Sequence, residues 1–240
     1  VFVEKPIATR KKEAEEMIAA SREHKKFLMV GHLLQYHPVF QKIKELNEEG
    51  FFGEILQINS SRMSFGKVRD QEDVVWSFAP HDLSMILSLV DSKVIEVSSH
   101  SHDIFKRGID DSASFQLKFL NGVVSEIKVS WINPFKEQKL VVIGTKNSAC
   151  FDDTLPWDKK LSTYESKITF KKNSINLNKG DLMYISDIPY NEPLKQECRY
   201  FSDLLKGRVE NITSGEEGLS VLNILEAVEE SLKENKIVRL

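Results

Sequence analysis

Residues 113–131 constrain the fold of this 240-residue chain more than any other stretch. Ala113, Phe115, Leu117 and Phe119 alternate with Ser114, Gln116 and Lys118, and the next run alternates likewise through Val123, Ile127, Val129 and Trp131. A period of two sends successive side chains to opposite faces of a strand, so each run has one apolar and one wetter face. Asn121-Gly122 joins the runs, a pair that accepts the positive φ angles of a tight hairpin. The pattern predicts a mostly antiparallel sheet packed on one face. Residues 54–62, 94–99, 140–144 and 148–152 read as further strands of it.

Upstream the texture differs. Val1, Phe2 and Val3 read as a buried strand that Pro6 stops, leaving Glu4 and Lys5 at its C-terminal end. Open α/β sheets place their ligand crevice at such ends. Thr9 is a candidate cap for a helix with Ala14, Met17, Ile18 and Ser21 on one face; residues 27–30 give a second strand, closed by Gly31-His32. Pro38 opens a helix whose Val39, Phe40, Ile43 and Leu46 face inward, and Gly50 stops it. Strand, helix, strand, helix is the tail end of a doubly wound domain. With no initiating Met before Val1, the chain reads as starting mid-domain. Residues 1–36 are thus assigned to the end of one domain and 37–240 to a second, α/β overall and α+β in the main part, with helices on one face of an open sheet.

Residues 153–190 are weakly patterned and read as loops with one or two peripheral strands. Asn191 is a candidate cap for a helix with Leu194, Cys198, Phe201 and Leu205 spaced for burial and Gly207 at its end. Ser214-Gly215-Glu216-Glu217 is a capping box before a last helix, striped by Val221, Ile224, Leu225, Val228 and Leu232.

Composition narrows the function classes. A net charge of -3 gives no electrostatic footprint for nucleic acid. No apolar run approaches the roughly 20 residues of a bilayer span, so no membrane partner is expected. Cys150 and Cys198 are far apart and outside any CxxC spacing, which points to a reducing cytoplasmic setting; the sequon Asn211-Ile212-Thr213 is idle there. His100, His102 and Asp103 lack further ligands nearby, so no metal is expected.

The second candidate centre is 73–82, which leads into a helix with Leu83, Ile86, Leu87 and Val90 on one stripe. Ser77 can cap that helix, Pro80 is then tolerated in its first turn, and His81 sits near its start. A lone histidine there is more often a core or capping residue. Arg62, Lys67 and Arg69 precede it as a small basic group, either a solvated loop or a contact for a substrate phosphate or carboxylate. Trp131 and Trp157 are core residues or pocket walls.

The ordered series changes those odds. Glu4-Lys5-Pro6, then Val30-Gly31-His32, Tyr36-His37-Pro38, Gly50-Phe51-Phe52-Gly53-Glu54-Ile55, the Trp76-to-Asp82 segment, Gly144-Thr145 and Gly218-Leu219 together resemble the Gfo/Idh/MocA family. These are NAD(P)-dependent dehydrogenases of the glucose-fructose oxidoreductase and inositol dehydrogenase type. The Trp-x-x-x-Pro-His-Asp form and Ser64-Phe65-Gly66-Lys67-Val68-Arg69 look most similar to members acting on nucleotide-linked sugars. The resemblance implies a Rossmann domain, of which 1–36 is the C-terminal remnant, and a substrate domain behind it. It implies hydride transfer between a secondary alcohol of a sugar or nucleotide sugar and NAD or NADP, with Lys5, His81 and Ser77 catalytic. It places Glu4, Lys5, His32, Gln35 and Tyr36 at the cofactor and Arg62, Lys67, Arg69 and Trp76 at the substrate. Hydride leaves a carbinol carbon as the hydroxyl loses a proton, which calls for a base of near-neutral pKa and a cation to steady the alkoxide.

Two departures qualify the resemblance. Many members carry Asp where this chain has Ser77, and a hydroxyl is no base at pH 7. No G-x-G-x-x-G occurs in the 240 residues, so this polypeptide alone is expected to bind NAD(P) poorly. Both leave room for an alternative, a non-catalytic binding or oligomerisation domain derived from such an enzyme. A wide apolar sheet face seldom stays in water, so a homodimer or homotetramer through the open face is expected.

Overall fold

The computed structural model describes residues 1–66, 68–171 and 174–240, and their side chains except at 166–179. β1 (Phe2–Glu4) and β2 (Met29–Gly31) pair in parallel, linked through α1 (Lys11–Glu23), so that Glu4 lies opposite Gly31. α2 (Pro38–Glu48) follows, with Val39, Phe40, Ile43 and Leu46 buried at the expected spacing.

The remaining strands form one sheet. They are β3 (Ile55–Phe65), β4 (Val94–His102), β5 (Ser112–Phe119), β6 (Val124–Ser130), β7 (Ile132–Gly144), β8 (Asn147–Asp152), β9 (Leu161–Lys171), β10 (Ser174–Tyr184) and β11 (Val238–Arg239). Their order is β10-β9-β8-β7-β3-β6-β5-β4-β11, antiparallel throughout except where β3 lies parallel to β6. The hairpin forms as its pattern predicts, with Phe115 opposite Ile127 and Gly122 at φ 92°. α3 (Val74–Leu89) and α5 (Gly215–Glu234) cover one face, and α4 (Pro193–Leu205) packs on β1, where Phe201 meets Phe2. Ile58, Leu117, Phe119, Ile127 and Trp131 are fully buried between sheet and helices, each contributing about 1.5–3 kcal/mol.

Several local expectations are corrected. Asp73, not Ser77, caps α3 by accepting the Trp76 amide at 3.0 Å, so Pro80 lies inside the helix and His81 two turns in. An aspartate four residues upstream claimed the cap, and burial of α3 on nearly every side replaces the single stripe. Arg10, not Thr9, precedes α1, and Glu192, not Asn191, precedes α4, where Pro193 supplies the first helical residue. In α4 Glu197 and Leu204 are the buried residues, while Cys198, Leu194 and Leu205 are exposed. The one or two peripheral strands expected within 153–190 are β9 and β10, which pair antiparallel at the sheet edge and are longer than the surrounding loop reading suggests.

The open sheet face also differs from expectation. Gln57, Asn59, Ser61, Ser114, Gln116, Lys118, Glu126 and Lys128 occupy it side by side, with Gln57 bonded to Asn59 and Ser61 to Glu137. Polar residues thus fill the centre of this face among the described residues. Trp131 is core, and Trp157 donates its indole N–H to Ile188 O at 2.7 Å.

Candidate active site

Lys5 leaves the C-terminal end of β1 and donates from Nζ to the Ser77 carbonyl of α3 at 2.7 Å. The Lys5–Pro6 peptide is cis. Pro80 lies within the same helix, and the ammonium docks on the turn before it. Burial pulls the Lys5 pKa down, and Arg69 and Arg62 act in the same direction against Glu72 and Glu4. His81 lies one turn beyond Ser77. Burial holds its imidazole well below the ordinary histidine range, and Arg62, Lys5 and His32 reinforce the effect. A histidine so placed is neutral at pH 7, with its lone pair available to take a proton. Among the described residues its Nδ1 is buried without a partner, as is the Ser77 hydroxyl.

Arg62 reaches the same locality from β3 and is held by Asp82, the residue after His81. Its Nε donates to Asp82 Oδ2 at 2.7 Å and its Nη2 to Oδ1 at 3.2 Å, while Ser60 Oγ donates to Oδ1 at 2.6 Å. Asp82 is 1% exposed, so the fork is locked in one orientation beside His81. Arg69 pairs with Glu72 at 2.9 Å, close enough to Lys5 for both charges to act on it. Arg107 braces this loop by donating to Arg69 O and to the buried Asp111. Trp76 is half-buried between two apolar clusters. Lys67, expected beside Arg69, lies outside the described residues.

His32 follows β2 as Lys5 follows β1, so both leave the same edge of a parallel pair. Its Nδ1 is hydrogen-bonded to Glu217 Oε2 from the first turn of α5, and Ser84 Oγ donates to the other oxygen of Glu217 at 2.8 Å. His32 Nε2 is buried without a partner among the described residues. Glu4 is exposed, with a carboxyl oxygen against Gly31. Of the remaining two expected cofactor contacts, Tyr36 has its hydroxyl engaged elsewhere, whereas Gln35 has its amide N–H engaged and its Oε1 buried with no partner among the described residues. Gln35 donates to Ser84 and Ser88 inside the core, and the Tyr36 hydroxyl bonds Thr213 at 2.8 Å. Sequence reasoning missed Asp82, Ser84 and Glu217 as site-forming residues: Asp82 was visible only as part of a motif, and Glu217 only as a capping-box glutamate.

Residues 40–150 match the model of the GFO/IDH/MocA C-terminal domain. That stretch, a little under half of the chain, carries a C-terminal domain of the Gfo/Idh/MocA type. It is 27% identical over 243 residues to the uncharacterized oxidoreductase YrbE of Bacillus subtilis (strain 168), covering 97% of this chain and 68% of that protein. It is 23% identical to the D-xylose 1-dehydrogenase [NADP(+)] of Haloarcula marismortui, covering all of this chain and 68% of the relative. Among solved structures, UDP-N-acetylglucosamine 3-dehydrogenase GnnA from Acidithiobacillus ferrooxidans superposes with a TM-score of 0.79 at 20% identity, covering 97% of this chain and 70% of that one. That likeness establishes the shared fold.

The dinucleotide implied by this family can be weighed against the residues themselves. His32 Nε2, His81 Nδ1 and Ser77 Oγ are buried polar atoms lacking protein partners, gathered around the strand ends of β1 and β2. Buried polar atoms are usually satisfied, by protein, water or a bound polar molecule. The donor and acceptor set fits the nicotinamide end of the cofactor and a carbinol beside it.

Proposed function

We propose that this chain forms the substrate side and nicotinamide-proximal part of an oxidoreductase, moving hydride between a secondary alcohol of a sugar or nucleotide sugar and NAD(P). The observation that carries this reading is the Lys5 ammonium fixed on the Ser77 carbonyl, one turn from a neutral His81, across 72 residues of sequence. Residues 1–36 are read as the end of the dinucleotide-binding domain and 37–240 as the substrate domain. Glu4, Lys5 and His32 would border the nicotinamide, which accepts or returns the hydride when bound. His81 takes the carbinol proton as the C–H bond breaks. Lys5 steadies the developing alkoxide from a site where burial strengthens its field. Ser77 contributes at most a hydrogen bond to the substrate. Arg62, oriented by Asp82, is placed for a further substrate oxygen, and Arg69 for a more distant anionic group. The names of the xylose and UDP-N-acetylglucosamine relatives support a sugar substrate.

The test is turnover of NAD(P) against a panel of sugars and sugar nucleotides, comparing the protein with His81→Ala. The variant is expected to lose at least about 100-fold in kcat, the scale for a positioned proton acceptor. Turnover equal to that of the parent discards the assignment. A parent that binds sugar nucleotides but never reduces the cofactor instead favours the non-catalytic reading that Ser77 suggests.

A further inference from the structure

The buried Asp111, met above only as the partner of Arg107, has contacts that converge on the peptide holding Lys5. It lies one residue before β5, its amide donating to His102 O at 2.9 Å and its carbonyl accepting Trp131 N at 3.3 Å. Oδ1 accepts the Trp131 indole N–H and Arg107 Nη2, each at 2.7 Å. Oδ2 accepts the amides of Ile104 at 3.0 Å and Phe105 at 3.2 Å. A buried ion pair is weak evidence for stability, since an apolar pair of the same volume often serves as well; what four donors do impose is a fixed orientation. Trp131 receives it. Its ring is fully buried and meets Phe78 of α3 edge-on, with centroids 6.5 Å apart and planes at 89°. Phe78 follows Ser77, so the Ser77 carbonyl and the Phe78 amide share one planar peptide. Lys5 Nζ donates to that carbonyl at 2.7 Å. A second arm runs through Arg107, whose Nη1 donates to Arg69 O at 2.9 Å. Val74 N donates to Asp110 O at 3.1 Å, so the lead-in to α3 is tied at both ends to the segment carrying Asp111.

We infer that Asp111 is a positioning residue: through Trp131 and Arg107 it fixes the Ser77–Phe78 peptide, and with it the place of the Lys5 ammonium. This rests on the reading of Lys5 as the cation that steadies the alkoxide. An ammonium helps a developing negative charge most when it is already in place, because nothing need reorient as the proton leaves. A peptide free to rock lets Lys5 wander, and a misplacement of about 1 Å from a distant change can cost about 100-fold in rate. The neutral hydroxyl of bound substrate gains little from the cation, so binding is expected to change far less than turnover.

Lys5 itself reports the effect without any turnover. Acetylation of the full chain with acetic anhydride, followed by peptide mass spectrometry, gives the labelling rate of Lys5 relative to Lys12, whose side chain is 86% exposed. Asp111→Ala would strand four donors in the core, so its two arms are cut separately. Trp131→Phe keeps a ring against Phe78 and removes the indole N–H, while Arg107→Ala removes both guanidinium bonds from a side chain that is 31% exposed. Each is expected to raise the Lys5-to-Lys12 ratio about 3–10-fold, the factor for a lost hydrogen bond. Each is also expected to lower kcat about 10–100-fold with KM within about threefold. A parental ratio or a parental kcat in either variant overturns the inference. So does a rise in KM as large as the fall in kcat, which marks a general loosening of the pocket. Lys5→Met with parental kcat fails the alkoxide reading itself, and the ratio then decides alone whether Asp111 holds Lys5.

Discussion

The Arg62–Asp82 pair is the best place to test whether the site is as closed to solvent as its geometry requires. Asp82→Ala removes a side chain that is 1% exposed and strands a guanidinium that is 13% exposed. Three hydrogen bonds disappear, two from Arg62 and one from Ser60. Counted singly at about 1.5–3 kcal/mol for a charged acceptor, they would overstate the loss. Ser60 still donates to Lys139 O at 3.1 Å, and Arg62 can turn partly toward water. Breaking one side of a buried pair costs about 3–5 kcal/mol, and the lower half of that range applies here. For a chain of this size that is a fall in Tm of about 6–16 °C. Urea unfolding followed by circular dichroism reads it, and the double variant Arg62→Met with Asp82→Leu provides the control. Removing both charges leaves none stranded, so the double variant is expected within about 1 kcal/mol of the parent. A loss below about 1 kcal/mol in Asp82→Ala would show that water reaches the pair, and the argument for a locked Arg62 would fail.

Two other substitutions probe the frame of the site. Glu197 is 2% exposed with one carboxyl oxygen unpartnered, and burial, with the charge of Glu4, raises its pKa to about 7. The folded state therefore holds the proton more tightly than the unfolded chain, so stability is greatest below the unfolded pKa of 4.5, falls as pH rises to about 7 and is flat above. Glu197→Gln should abolish that slope and stabilise by up to about 3 kcal/mol at about pH 8 with little effect at about pH 4; an unchanged slope in urea midpoints would exclude Glu197 as its source. At Gly144 an added Cβ would lie 2.2 Å from Phe52 O and 2.8 Å from Phe52 Cβ. Gly144→Ala is expected to cost about 2–3 kcal/mol in the same assay, and a parental midpoint would show that the 52–54 turn yields freely.

Much of the frame was readable because its signals are local. The spacing of Val39, Phe40, Ile43 and Leu46 stayed a buried face, and Ser214 capped α5 through the Glu217 amide. Lys5 and His81 were paired by resemblance, and the structure places them within electrostatic reach of each other. What escaped depends on partners far along the chain. The peripheral strands expected within 153–190 are present as β9 and β10, but their length depends on the free edge of β8, which a Lys- and Asn-rich segment does not announce. Ser77 was a plausible cap until tertiary packing extended α3 back to Asp73. The alternation of Ser114, Gln116 and Lys118 already marked a polar face, which the expectation of a wide apolar surface left out, and the register sets polar residues of β3, β5 and β6 side by side. Glu217 gave no hint of its bond to His32, since that imidazole lies 185 residues away.

The placement of β3 has a consequence for synthesis. It is made first among the nine strands yet lies between β6 and β7, so its neighbours follow about 60 residues later. At a translation rate of about 5–20 residues per second, β3 waits about 3–12 s outside the ribosome with both edges bare. The polar Gln57, Asn59 and Ser61, alternating with Ile58 and Ser60, keep that nascent ribbon from being attractive to other chains while it waits.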